Sequence, residues 1–146
     1  MAELTTIQTD DRTIEITHPG TGERIGIRVG VMHIDDERMA KIKRMITDRR
    51  LYLEARGKTF KAEEIDENKN NILFNSMTFW EWYNPTGDEG DEGYDADAMP
   101  SFEGEQHPEF TRKTVSAVLK KLSWFSDQVN ESVGDTKAFF GNSNPN

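Results

Sequence analysis

Residues 61–83, KAEEIDENKNNILFNSMTFWEWY, decide the fold. Their first half is polar, with Glu63, Glu64 and Asp66 near the start, where a helix dipole favours negative charge. Their second half gathers Ile72, Leu73, Phe74, Met77, Phe79, Trp80, Trp82 and Tyr83. Ile65, Ile72, Met77 and Trp80 fall at helical spacing, so the pattern predicts one helix that continues until Asn84-Pro85 breaks it. On that reading, β-structure is confined to the N-terminal part of the chain.

Working outward, TIEITHPGTGERIGIRVGVMHI (residues 13–34) changes period. Ile14 and Ile16, then Ile25, Ile27, Val29 and Val31, occupy alternate positions, as half-buried strands require. Pro19, Gly20 and Gly22 supply the reversal between them, so a β-hairpin is predicted. A lone hairpin is marginal in water and must pack on a helix or pair with another chain.

Between these stretches a helix is predicted over 35–56. Asp35 or Asp36 can cap it, Ile34 can staple onto Met39, and Gly57 suits its left-handed exit. Met39, Ile42, Ile46 and Leu53 form the inner face, and Lys41, Lys43, Arg49 and Arg50 the wet one. Beyond the break, Thr111 is a good N-cap, with Phe110 and Val115 placed as a staple. Val115, Val118, Leu119 and Leu122 then make an apolar face, and a further short helix holds Phe125 and Val129 and stops at Gly134. The predicted fold is α+β: an N-terminal β-hairpin packed on a small bundle of three to four α-helices. Residues 13–140 form one domain, between a flexible arm (1–12) and a flexible tail (141–146).

Composition sets the rest. Hydrophobic residues make up 34% of the 146 and charged residues 31%, which allows a small core. With no cysteine, disulfides, thiol nucleophiles and cysteine-based zinc sites are excluded. No signal-peptide pattern opens the chain and no apolar run approaches a membrane span, so a cytoplasmic protein without a membrane partner is expected. The formal charge of −9 is localised: Asp88, Glu89, Asp91, Glu92, Asp95, Asp97, Glu103 and Glu105 lie between Thr86 and Gln106 without one Lys or Arg. The remaining 19 acids nearly balance the 18 bases. Segment 84–108 is therefore predicted to be a disordered or mobile acidic insertion with almost nothing to bury. Binding to nucleic-acid phosphates needs clustered Lys and Arg, so no nucleic-acid partner is expected.

Apparent motifs fail on spacing. RGKT (56–59) ends like a phosphate-binding loop, but position 52 is Tyr where that loop needs Gly. GTGERIG (20–26) has its third Gly one residue late for a dinucleotide fingerprint and serves a turn. No frame of the acidic run satisfies an EF-hand, although Asp91, Asp95 and Asp97 could contribute cation ligands. His18, His33 and His107 are far apart, and Ser76, Ser116 and Ser123 sit in predicted helices without an elbow motif. No catalytic, cofactor or metal residues are assigned, and a non-enzymatic role is expected. The aromatic residues have two readings: core between helices, or an adaptable surface for an apolar helix.

The order of IEITHPGTGERIGIRVGV, then DDERMAKIKRMITDRRLYLEARGKTF through TFWEWY, then PEFTRKTVSAVLKKLSWFSDQVNESVGDTKAFF, resembles tail assembly chaperones of long-tailed, siphovirus-type bacteriophages. The resemblance covers about residues 13–140, with the acidic stretch as a variable insertion. It implies a protein of the host cell cytoplasm that binds the aggregation-prone, helical tape measure protein, helps recruit tail tube protein and is absent from the mature virion. Such chaperones occur in short and frameshift-extended forms, and this chain would be the short one. Phe74, Trp80, Trp82, Tyr83, Trp124 and Phe125 are the expected partner-binding residues, with self-association compatible. The competing readings are a permanent tail or head–tail connector subunit and an acidic, DNA-mimicking decoy.

Overall fold

The computed structural model describes residues 12–134. The arm over 1–11, the pair Phe139-Phe140 and the tail 141–146 lie outside the described residues. Strands β1 (Arg12–Thr17) and β2 (Arg24–Val31) form the expected antiparallel hairpin, with Ile14 opposite Val29 and Glu15 opposite Arg28. His18 closes its turn, Nδ1 accepting from the backbone N–H of Gly20 (3.0 Å) and Thr21 (3.2 Å). Ile16, Ile27, Val29 and Val31 are buried on one face, as their period-two spacing requires.

A short 3-10 turn (Glu37–Met39) leads into helix α1 (Ala40–Glu54). Asp36 is the cap that forms, accepting from the Arg38 N–H at 2.9 Å, while Ile34 and Met39 are both buried. Gly57 adopts φ 70°, and Lys58 donates to the Leu53 carbonyl at 2.9 Å, which closes the C-terminus.

Helix α2 (Ala62–Ser76) corrects the single helix expected over 61–83. At Met77 the backbone turns extended (φ −82°, ψ 130°), and Met77–Trp82 is strand β3. It pairs antiparallel with β2, which makes β2 the centre of a three-stranded sheet in the order β1-β2-β3. Burial geometry explains the switch. Helical steps of about 100° would spread Phe79, Trp80, Trp82 and Tyr83 around the helix. In a strand, Trp80 and Trp82 face the core and Phe79 and Glu81 face away, and a shift of register at Thr78 turns Met77 to the core as well. β2 receives β3 closely: a Cβ on Gly30 would collide with Thr78 and the Phe79 ring. The Ser76 carbonyl accepts from Met32 N–H at 2.8 Å, so the end of α2 is tied to the end of β2.

Helices α3 (Arg112–Lys121) and α4 (Ser123–Val133) complete the α+β fold. Thr111 caps α3, its hydroxyl accepting from Thr114 N–H at 3.2 Å, and α4 ends at Gly134 as its sequence implies. α4 lies against β1 and β2, and α2 against β3, α1, α3 and α4. The core therefore sits between the sheet and the helices, with Phe125, Ile72, Leu73 and Val129 fully enclosed.

Segment 84–108 is irregular, as expected, but it has anchors that its composition does not suggest. Asn84 donates to the Asp95 carbonyl (2.7 Å), and Asp95 N–H donates to the Thr86 hydroxyl (2.9 Å). Asp95 also caps a 3-10 turn at Ala96–Ala98. Met99 and Phe102 pack against the core and Pro108 is buried. The expectation of almost nothing to bury is corrected there: three scattered apolar residues pack or are buried, and local Asx-type bonds tie Asn84 and Thr86 to Asp95. All eight acids of the segment remain exposed.

Candidate functional site

The expected partner-binding residues separate into two groups. Phe74, Trp80, Trp82, Trp124 and Phe125 belong to one aromatic cluster joined through Phe110. Trp80 meets Trp82 edge-on at 5.4 Å and Phe110 at 5.7 Å, Phe74 stacks on Phe110 at 5.9 Å, and Phe125 lies 6.4 Å from Trp124. Such contacts stabilise a packed interior. Phe125 and Trp82 are buried and present no surface to another molecule in this fold. Phe74, Trp80 and Trp124 are half-buried. The Trp80 indole N–H donates to the Pro108 carbonyl at 2.9 Å, so this ring clamps the acidic segment.

Tyr83 lies apart, in a polar network beyond the end of β3. Its hydroxyl donates to Glu15 Oε2 at 2.6 Å, and the Arg28 guanidinium, 2.5 Å from Glu15 Oε1, sits 4.2 Å from the ring centre. Burial, and then the bond to Glu15, raise the Tyr83 pKa. The same carboxylate raises that of Arg28, chiefly through their hydrogen bond. Glu81 approaches Arg28 at 3.8 Å from the other neighbouring strand. This cross-strand set ties the three strands together on the face away from the core.

Exposed apolar surface lies instead on α1. Met45 is 58% exposed, Leu51 51% and Tyr52 49%; Phe79 and Tyr94 are the other large exposed apolar side chains among the described residues. α1 buries only Ile46 and Leu53. A sequence signal for this existed in Leu51-Tyr52-Leu53: three consecutive large residues cannot share one helical face, so burying Leu53 turns its neighbours outward. Arg56 lies 3.7 Å from the Tyr52 ring centre and Arg49 lies 5.5 Å from it. Arg49 also pairs with Glu64 at 2.9 Å, which fixes α1 to the start of α2.

A second open feature is the outer edge of β3. Tyr83 N–H bonds the Gly26 carbonyl at 2.8 Å, so Glu81 and Phe79, alternating with it, also direct their peptide groups to β2. The peptide groups of Trp80 and Trp82 therefore point away from the sheet. At the opposite edge, the Gln128 side chain both accepts from and donates to the Thr17 backbone, each at 2.8 Å, and covers the end of β1.

His18 and His33 serve local turns, His33 Nδ1 accepting from Asp35 N–H at 3.1 Å. Among the described residues no group of three or more His, Cys, Asp or Glu is placed to hold a metal ion, and no helix is long and apolar enough to cross a membrane. No protein-family model, curated protein or solved structure matches the chain.

Proposed function

We propose that this chain is a tail assembly chaperone of a long-tailed bacteriophage, acting in the host cytoplasm to keep the tape measure protein soluble and to help recruit tail tube protein. One observation carries the reading beyond the resemblance: α1 exposes three large apolar side chains, as many as it sets in or against the core through Ile42, Ile46 and Leu53. A client-holding protein needs apolar contacts of this kind, and it needs a strongly solvating part to keep the complex in solution. The eight exposed acids between Thr86 and Gln106 supply the second requirement. The flexible, unbranched side chain of Met45 suits contacts that must later be released.

The test is co-expression with the tape measure protein encoded beside it. The tape measure should move from the pellet to the soluble fraction and co-purify with this chain; an unchanged pellet would sink the proposal. A connector subunit is the second reading, favoured by the outward peptide group of the half-buried Trp80, where a strand of a neighbouring subunit could pair. Purified virions separate the two: a chaperone is missing from them and a connector is retained.

A further inference from the structure

The apolar face of α1 is set in a frame of positive charge. Between Ala40 and Lys61 the chain carries eight Lys and Arg against Asp48 and Glu54. That concentration was hidden in the near-neutral balance of the chain outside its acidic segment. Met45, Arg49, Tyr52 and Arg56 recur at helical spacing and share one stripe, and Lys41 and Arg44 flank its beginning; all six are exposed. The two guanidiniums are held in position by their own chain. Arg56 lies over Tyr52 and donates to its carbonyl at 3.2 Å, and Arg49 donates to Glu64. A guanidinium has five N–H donors, so each can take a further carboxylate.

We infer that this stripe docks an acidic amphipathic helix. The apolar side chains of that helix rest on Met45 and Tyr52 and reach Leu51 at the margin of the stripe, about 100° further round α1, and its Asp or Glu residues meet Arg44, Arg49 and Arg56. The identity of the client rests on the chaperone reading; the chemistry of its docking segment rests on α1 alone. α1 is about 22 Å long at 1.5 Å per residue, which matches about four turns of a partner helix laid along it.

Other anionic occupants fit less well. A nucleic acid brings a charge about every 1.7 Å, a continuous density that would leave the apolar residues Met45, Leu51 and Tyr52 opposite phosphates. A membrane-surface helix inserts a broad, continuous apolar face. On α1, Asp48 and Arg49 interrupt the exposed residues, and Ile46 and Leu53 are committed to the core.

The test uses the full chain and a labelled synthetic helix of about 20 residues, a leucine stripe flanked by glutamate, with a lysine-flanked counterpart. Fluorescence anisotropy should show binding of the glutamate peptide, weakening with added salt, and little binding of the lysine peptide. Lys41→Glu, Arg44→Glu and Arg56→Glu together should weaken it by about tenfold or more with an unchanged circular-dichroism spectrum. Leu51→Ser with Tyr52→Ser, which leaves every charge in place, should also weaken it. Equal binding of both peptides, or indifference to both sets of substitutions, overturns the inference. So does tighter binding, through the same residues, of a uridine oligonucleotide or of phosphatidylglycerol vesicles. If the charge-reversed chain still solubilises the tape measure protein as well as the native chain, the docking inference fails and the chaperone reading stands. If the native chain binds the glutamate peptide but rescues no tape measure protein, the reverse holds.

Discussion

Helix α1 gathers its apolar residues on one face less sharply than α3 and α4 do, and it ends in a different environment. α3 and α4 give Val115, Val118, Leu119, Phe125, Val129 and Val133 to the core, and the Ser126 hydroxyl bonds back to the Leu119 carbonyl within it. α1, longer at 15 residues, gives Ile46 and Leu53 and holds Met45, Leu51 and Tyr52 in water. The difference follows from position. α4 lies against β1 and β2 and α3 against α2 and α4, so their apolar stripes are enclosed. α1 packs against α2 and the preceding 3-10 turn, and nine of its 15 residues stay exposed. Buried apolar side chains thus predominate in α3 and α4 and exposed ones in α1, and substitutions can test that division.

The largest effect should come from Phe125→Ala. It removes a fully buried ring touching Trp80 and Trp124, and should cost about 3–5 kcal/mol in urea unfolding. A loss below about 1 kcal/mol would break the division at its strong end. Thr111→Ala, which deletes the cap of α3, should cost about 1 kcal/mol, with Thr111→Ser restoring most of it. Leu51→Ser with Tyr52→Ser should cost no more than about 1 kcal/mol, because both side chains are half exposed and Tyr52 loses chiefly its surface contact with Arg56. A large loss there would mean that α1 is structural after all.

The smallest effect is confined to acid. The hydrogen bonds from the Arg38 side chain, and then from its backbone N–H, lower the Asp36 pKa to about 2. A carboxyl held below its unfolded value, near 4, stabilises the fold above that value and loses its contribution as pH falls through the folded pKa. Asp36→Asn should therefore lower the urea midpoint slightly at neutral pH and flatten its decline between about pH 4 and pH 2. The two curves should converge at the acid end; parallel curves would remove Asp36 as the titrating group.

Particular residues show where the sequence was informative about structure. Alternation from Ile14 to Val31, the cap at Thr111 and the stop at Gly134 are local patterns, and each appears as its residue types demand. The stretch Met77–Trp82 misled because Ile65, Ile72, Met77 and Trp80 also fit a helix, while Thr78, Phe79, Trp80 and Trp82 are equally good strand formers. What settles it is β2, about fifty residues earlier, whose Gly30 leaves room for Phe79 and whose open edge needs a partner. The aromatic residues misled for a related reason. Type alone marks Trp82 and Phe125 as equally suited to a core or a surface, and only the neighbours that enclose them decide.

By itself the sequence determined the α+β class, the hairpin, the positions of three helices and the concentration of acid between Asp88 and Glu105, since each depends on the period or composition of neighbouring residues. The third strand, the anchoring of the acidic segment through Met99, Phe102 and Pro108, and the choice of which apolar residues stay in water were decided by tertiary structure. These depend on contacts between residues far apart in the chain, and a local pattern carries no record of which distant surface will cover it.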